Sequence, residues 1–180
     1  MPERFIMALA LCMIFACESK RPMHVQGKAP AEKRMEEFRE ALISQNRQLI
    51  REEMLSISAY AIRKGMNMDS TSTGLRYLFI ARNPAGKKTG LMKDVTIAYS
   101  MELLDGTPCY SSDSSGLLTF TLGQSNEPSG LQEGLLRMRE GEEAVLIVPS
   151  FLAYGVTGDG NRVPGSSSIV YRLKLEKVKD

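Results

Sequence analysis

The sequence predicts an α+β fold in which a long N-terminal helix precedes an antiparallel sheet and one short helix. Three observations predict it. Residues 31–64 contain neither Gly nor Pro and repeat apolar side chains at helical spacing. From Leu75 onward the period changes to 2 in five separate runs bounded by turn residues. Between the third and fourth of these runs, one short stretch returns to helical spacing.

The chain opens on an address rather than a fold element. Arg4 is followed by a twelve-residue apolar run, Phe5 to Ala16, that ends in a small residue, the layout of a secretory signal over residues 1–16. A spanning helix needs roughly 20 apolar residues, so this run is too short to cross a membrane. Ile14-Phe15-Ala16-Cys17 resembles a bacterial lipobox, which makes Cys17 the expected lipidation site; an ordinary signal peptide cut near Ala16 stays open. With Cys12 removed and Cys17 acylated, Cys109 is left as the mature chain's thiol, and no intramolecular disulfide can form. The expected product is an exported lipoprotein anchored in a membrane by lipid, on the periplasmic face or the outer membrane of a Gram-negative bacterium.

Residues 17–30 carry Lys20, Arg21, Pro22, Gly27, Lys28 and Pro30 with little apolar content, as a flexible spacer does. His24 lies here as the single histidine, which excludes a zinc site or a Ser-His-Asp triad built on it. The helical extension is placed at residues 31–66. Met35, Phe38, Leu42 and Leu49, then Ile50, Met54, Ile57 and Ala61, form its stripe, with Pro30 near the start and Gly65 past the end. Polar residues from Ser44 to Gln48 interrupt the stripe, leaving both packing along the domain and a homodimer through residues 31–64 open.

The sheet follows. Leu75, Tyr77 and Phe79 alternate, as do Val95, Ile97, Tyr99, Met101 and Leu103 before the Asp105-Gly106 turn. Leu118, Phe120 and Leu122 come next, then Ala144, Leu146 and Val148, and last Ile169, Tyr171, Leu173 and Leu175. This is the pattern of an antiparallel sheet with one buried face. Ser129 with Gln132 three residues on reads as a capping box, and Leu131, Leu135 and Met138 supply the short helix's apolar stripe. Gly155 to Asn161 is rich in glycine but has neither phosphate-loop nor calcium-loop spacing.

Composition narrows the function. At 43% hydrophobic the chain is no disordered segment, and a net charge of +2 from scattered charges offers no basic stripe for nucleic acid.

Several short motifs then agree in order. Val95-Thr96-Ile97-Ala98-Tyr99 resembles V-x-V-x-Y, Leu104-Asp105-Gly106 an L-x-D-G turn, and Cys109-Tyr110-Ser111-Ser112 an F-D-S-S segment. Phe120-Thr121-Leu122-Gly123 resembles F-x-L-G, and Gly130-Leu131-Gln132-Glu133-Gly134 resembles G-W-x-E-G. Pro149 to Gly155 with Pro164 resembles P-x-x-x-A-Y-G and its downstream I-P. These are motifs of the FKBP-type peptidyl-prolyl isomerases, and residues 73–180, about 60% of the chain, resemble that family's domain. The whole layout is similar to the gliding-motility-associated isomerase lipoproteins of Bacteroidetes.

The resemblance implies an FKBP-like sheet of five or six strands wrapped on one short helix, with an apolar cavity between them. It implies proline-containing polypeptide clients, no cofactor and no metal. Tyr154, Tyr110 and Phe120 are the implied catalytic residues, Tyr154 aiming its hydroxyl at a substrate carbonyl. Tyr99, Ser111, Leu118, Leu131, Val163 and Tyr171 are the implied substrate-binding residues. Leu131 stands where the family has a Trp floor, which predicts a deeper pocket and weak binding of the family's macrolide inhibitors. Ser111 is read in place of an Asp, Leu118 in place of a wall aromatic, and Pro128 near a loop position whose N–H holds the substrate carbonyl. Those departures keep two alternatives in view, a non-catalytic proline-segment binder or chaperone and a surface lipoprotein whose groove is lost.

Overall fold

The computed structural model describes residues 30–179. The expected signal peptide, Cys17, His24 and the spacer up to Ala29 lie outside the described residues. Contacts divide the chain into one unit ending at Ala41 and another running from Leu42 to the C-terminus. Helix α1 (Ala31–Arg63) is free of helix breakers throughout. It ends where Gly65 takes φ 64°, with Met66 N donating to Ala61 O at 2.9 Å and Gly65 N to Ile62 O at 3.0 Å. That is a Schellman stop, which wants a residue without Cβ at the left-handed position.

The five expected strands are all present, and two short ones join them. They are β1 (Asp69–Ser70), β2 (Arg76–Ala81), β3 (Asp94–Leu103), β4 (Pro108–Ser111), β5 (Leu118–Thr121), β6 (Glu143–Val148) and β7 (Ile169–Lys179). Their order is β1-β2-β6-β7-β3-β4, with β5 also pairing β3, and every pairing is antiparallel. The N-terminal part of β3 faces β5 (Val95 opposite Phe120), and its C-terminal part faces β4 (Met101 opposite Tyr110). This division of one edge opens the sheet around Tyr99 and Met101. Helix α2 (Ser112–Ser115) fills the gap between β4 and β5, and the Ser111 hydroxyl caps it by accepting from Asp113 N.

Helix α3 (Ser129–Leu135) lies on the inner face of the sheet with Leu131 and Leu135 fully buried. Its backbone comes very close to β6: a Cβ on Gly130 would stand 2.4 Å from Val148 Cγ1, and one on Gly134 2.3 Å from Leu146 Cδ1. The capping-box expectation is corrected here. Pro128, at φ −49° and ψ 134°, is the cap and Ser129 is already helical, its hydroxyl turned to Leu152 O at 3.3 Å. Gln132 is thereby free to hold the preceding loop. Met138, past the helix end, joins Leu131 and Leu135 in one core with Val95, Ile97, Leu122, Leu146, Val148, Leu173 and Leu175.

The outer face of the sheet carries a second, smaller core. Ile57 and Tyr60 of α1 bury against Val145, Ile147 and Val170, flanked by Met54 and Ala61. Glu53 fastens this part of the helix, its carboxylate accepting from Ser150 N (2.6 Å), Ser150 Oγ (3.0 Å) and Ser168 Oγ (2.5 Å). The last third of the apolar stripe therefore packs along the domain, while Met35, Phe38, Leu42, Leu49 and Ile50 stay exposed.

Candidate functional site

The opening in the sheet becomes a cavity of about 210 Å³ lined by Tyr99, Met101, Tyr110, Leu118, Glu127, Tyr154, Asp159 and Tyr171. Strand geometry explains the set. Residues alternate across a strand, so Tyr99 and Met101 of β3 share a face. Met101 sits between Tyr110 of β4 and Tyr171 of β7, its register partners on either side. Met101 and Tyr171 are each only 2% exposed and form the base, whereas the other lining residues are partly exposed and form walls and rim. The Tyr99 and Tyr171 rings lie 6.3 Å apart at 50°, a tilted aromatic pair.

The loop after the 3₁₀ turn Ser150–Leu152 supplies Tyr154 and Asp159. Asp159 closes the loop on itself: its Oδ1 accepts from Asn161 N (2.9 Å) and Val163 N (2.8 Å), and its backbone N donates to Val163 O (3.1 Å). Its Oδ2 accepts from the Tyr110 hydroxyl at 2.5 Å, joining loop to strand. Arg162 adds a second rivet, Nη1 donating to Cys109 O at 2.8 Å with the guanidinium 5.4 Å from the Tyr110 ring centre. Burial alone would push the Asp159 carboxyl up, but the hydrogen bonds from Tyr110 and the loop N–H groups outweigh it and hold the group below its ordinary range. The same bond to Asp159 holds the Tyr110 hydroxyl's proton more tightly than usual.

The tyrosine hydroxyls are thus sorted by role. Tyr110 spends its proton on Asp159. Burial raises the pKa of both Tyr154 and Tyr171, whose hydroxyls also influence each other. Tyr154 therefore stays protonated and lines the cavity with an O–H to offer.

Of the residues implied by the resemblance, Tyr99, Tyr110, Leu118, Tyr154 and Tyr171 come together at the cavity, and four do not line it. Phe120 packs on the core opposite Val95, two register pairs beyond Leu118 and away from Tyr99. Leu131 is wholly buried in the core and Val163 is 3% exposed beneath the loop. The cavity is lined by the buried Met101 and not by Leu131. Ser111 is the cap of α2, and in the F-D-S-S register it is Tyr110, not Ser111, that stands at the Asp position. Met101, Glu127 and Asp159 were missed. Only Met101 had a local signal, its place two residues after Tyr99 on an alternating strand.

A partly open, tyrosine-walled hollow of this size suits one small apolar ring better than a drug-sized ligand, which takes a pocket of roughly 300 Å³ or more. The fold is that of the FKBP-type peptidyl-prolyl cis-trans isomerase family, whose model matches residues 86–176. The chain belongs to this family. It is 36% identical over 110 residues to a Neisseria meningitidis protein described as a probable FKBP-type peptidyl-prolyl cis-trans isomerase FkpA, covering 61% of this chain and 39% of that protein. It is 36% identical over 94 residues to an FK506-binding protein of Neisseria meningitidis serogroup C, covering 52% of this chain and 86% of the relative. The crystal structure of FkpA from Escherichia coli aligns at a TM-score of 0.60 and 22% identity over 84% of this chain and 75% of that one, a likeness of fold. The expected α+β architecture, with its long N-terminal helix, agrees with these findings.

Proposed function

We propose that this protein isomerises X-Pro bonds of exported polypeptides while tethered to a membrane by lipid at Cys17. The observation that carries the reading is the cavity of Tyr99, Tyr110, Tyr154 and Tyr171 over a Met101 base.

Rotation about an X-Pro amide crosses a barrier near 18–20 kcal/mol because it breaks resonance, and it takes tens to hundreds of seconds unaided. No covalent bond is made or cleaved, so the work is done by preference for the twisted amide over the planar one. The aromatic walls hold the ring and exclude water from the amide, which favours the less polar twisted form. Tyr154, kept protonated by burial, offers its O–H to the substrate carbonyl. Each tenfold in rate corresponds to about 1.4 kcal/mol of such preference.

Proline-dependent catalysis by the full chain in detergent, measured on tetrapeptides, tests this. Tyr154→Phe is expected to lower kcat/KM about tenfold with an unchanged unfolding midpoint, and an unchanged rate would remove Tyr154 from the chemistry. Pro128 favours a second reading, a non-catalytic binder or chaperone, since a buried proline cap has no N–H to give a substrate carbonyl. A folded chain that binds proline peptides without accelerating them would select it.

Supporting the tether are the apolar run before Cys17 and the polar spacer after it, the layout of the isomerase lipoproteins of Bacteroidetes that the sequence resembles. Cys17→Ser is expected to abolish incorporation of labelled palmitate, and continued labelling would refute lipidation there. The exposed Met35, Phe38, Leu42, Leu49 and Ile50 support pairing of two copies through α1, an idea that a single-protomer mass in solution would end.

A further inference from the structure

The segment from Gly123 to Glu127 joins β5 to α3 and is tied to that helix by Gln132. Gln132 Oε1 accepts from Gly123 N at 2.8 Å, while its Nε2 donates to Glu127 O at 2.8 Å and to Ser125 O at 3.4 Å. Buried Pro128 ends the segment at the start of α3. Glu127 is thereby carried to the cavity wall and kept there.

The two acidic residues lining the cavity differ in one respect. Asp159 has both oxygens engaged by Tyr110, Asn161 and Val163. Among the described residues no hydrogen bond or ion pair reaches the Glu127 carboxylate, and burial raises its pKa. Among the described residues no basic side chain lines the cavity. Arg162, on the same loop as Asp159, is spent on Cys109 O and the Tyr110 ring. A half-buried carboxylate without a partner is unfavourable, and a cation brought by the ligand relieves it.

Resting on the reading of this cavity as the proline site, we propose that Glu127 selects the residue beside the proline, so that segments with Lys or Arg adjoining the proline are preferred. The cationic head meets the Glu127 carboxylate, and the aliphatic stem lies along the tyrosine walls. Tyrosine faces add to the attraction for the same cation.

The test compares kcat/KM of the full chain for Ala-Lys-Pro-Phe, Ala-Leu-Pro-Phe, Ala-Ala-Pro-Lys and Ala-Ala-Pro-Leu at ~0.02 M and ~0.5 M salt. At low salt at least one Lys peptide is expected to exceed its Leu counterpart about tenfold, with the advantage shrinking severalfold at high salt. In Glu127→Gln the Lys-to-Leu ratio is expected to fall to about one, a change that a merely structural role for Glu127 would not produce. Leu peptides equal to or better than Lys peptides, or a ratio that survives Glu127→Gln, would overturn the proposal while leaving the isomerase reading intact. Should no peptide be isomerised, that reading fails instead, and direct binding of fluorescent forms of the same peptides decides: tighter Lys binding lost in Glu127→Gln supports the selection, and equal or weaker Lys binding overturns it.

Discussion

Gly158→Ala is expected to reduce kcat/KM for proline peptides by at least about tenfold while the core remains folded. Gly158 has φ 72°, and a Cβ there would stand 2.1 Å from Val163 O and 2.8 Å from Pro164 C. These are backbone atoms, so no side chain can step aside. The turn that Asp159 closes on Val163 must open, and Tyr110 loses its acceptor. Tyr154 then sits on a loop no longer riveted to β4. Gly160→Ala is the control: Gly160 also has a positive φ, 74°, but no heavy atom lies within 4 Å of the added Cβ. It should cost only the ~1 kcal/mol of left-handed backbone strain, and leave most activity. Equal losses in the two variants would mean that backbone strain, not the Asp159 closure, controls the site. Acid should act on the same closure. The hydrogen bonds hold the Asp159 carboxyl below its unfolded value, so its contribution is present above the ordinary carboxylate range and is lost as pH falls through the lowered one.

Glu142→Ala is expected to destabilise the domain by about 3 kcal/mol, read as a lower urea midpoint at constant slope. Glu142 is wholly buried. Its Oε1 accepts from Asn83 N at 3.1 Å and pairs with Arg82 Nε at 3.1 Å, and its Oε2 accepts from Arg139 N at 2.8 Å. One side chain thus ties the segment after β2 to the turn before β6. Truncation leaves two backbone donors without acceptors, each costing about 1–3 kcal/mol when buried. Arg82 is half-exposed and regains water, which keeps the loss below that of a fully buried broken pair. Glu142→Gln retains one acceptor and should lose roughly half as much. A midpoint unchanged in Glu142→Ala would show that water reaches both N–H groups.

How much of this was legible beforehand differs between fold and site. Strands β2, β3, β5, β6 and β7 could be read because alternation reports which face of a strand each side chain takes. The short β1 and β4 are too brief to show a period, and β4 is defined by its pairing with β3. The end of α1 at Gly65 followed from the need for a left-handed residue there. Motif order brought Tyr99, Tyr110, Leu118, Tyr154 and Tyr171 to one place, yet it put Phe120, Leu131, Val163 and Ser111 there as well. Phe120 and Leu118 share a face of β5 and are alike in pattern; only the pairing with β3 separates the one at the cavity from the one beyond it.

By itself, then, the sequence determined the elements, their buried faces and the family, because propensity, period and turn chemistry act between near neighbours in the chain. Tertiary structure alone decided that Met101 forms the base and that Glu53 fastens α1 to Ser150 and Ser168. It also decided that Asp159 accepts the Tyr110 hydrogen bond and that Glu127 stands in an aromatic hollow with no partner among the described residues. Those facts depend on which strands pair, in what register, and on what faces a side chain from 49 to 115 residues away. Partner and depth of burial set the charge and donor state of each group, and neither is encoded within a few residues of it.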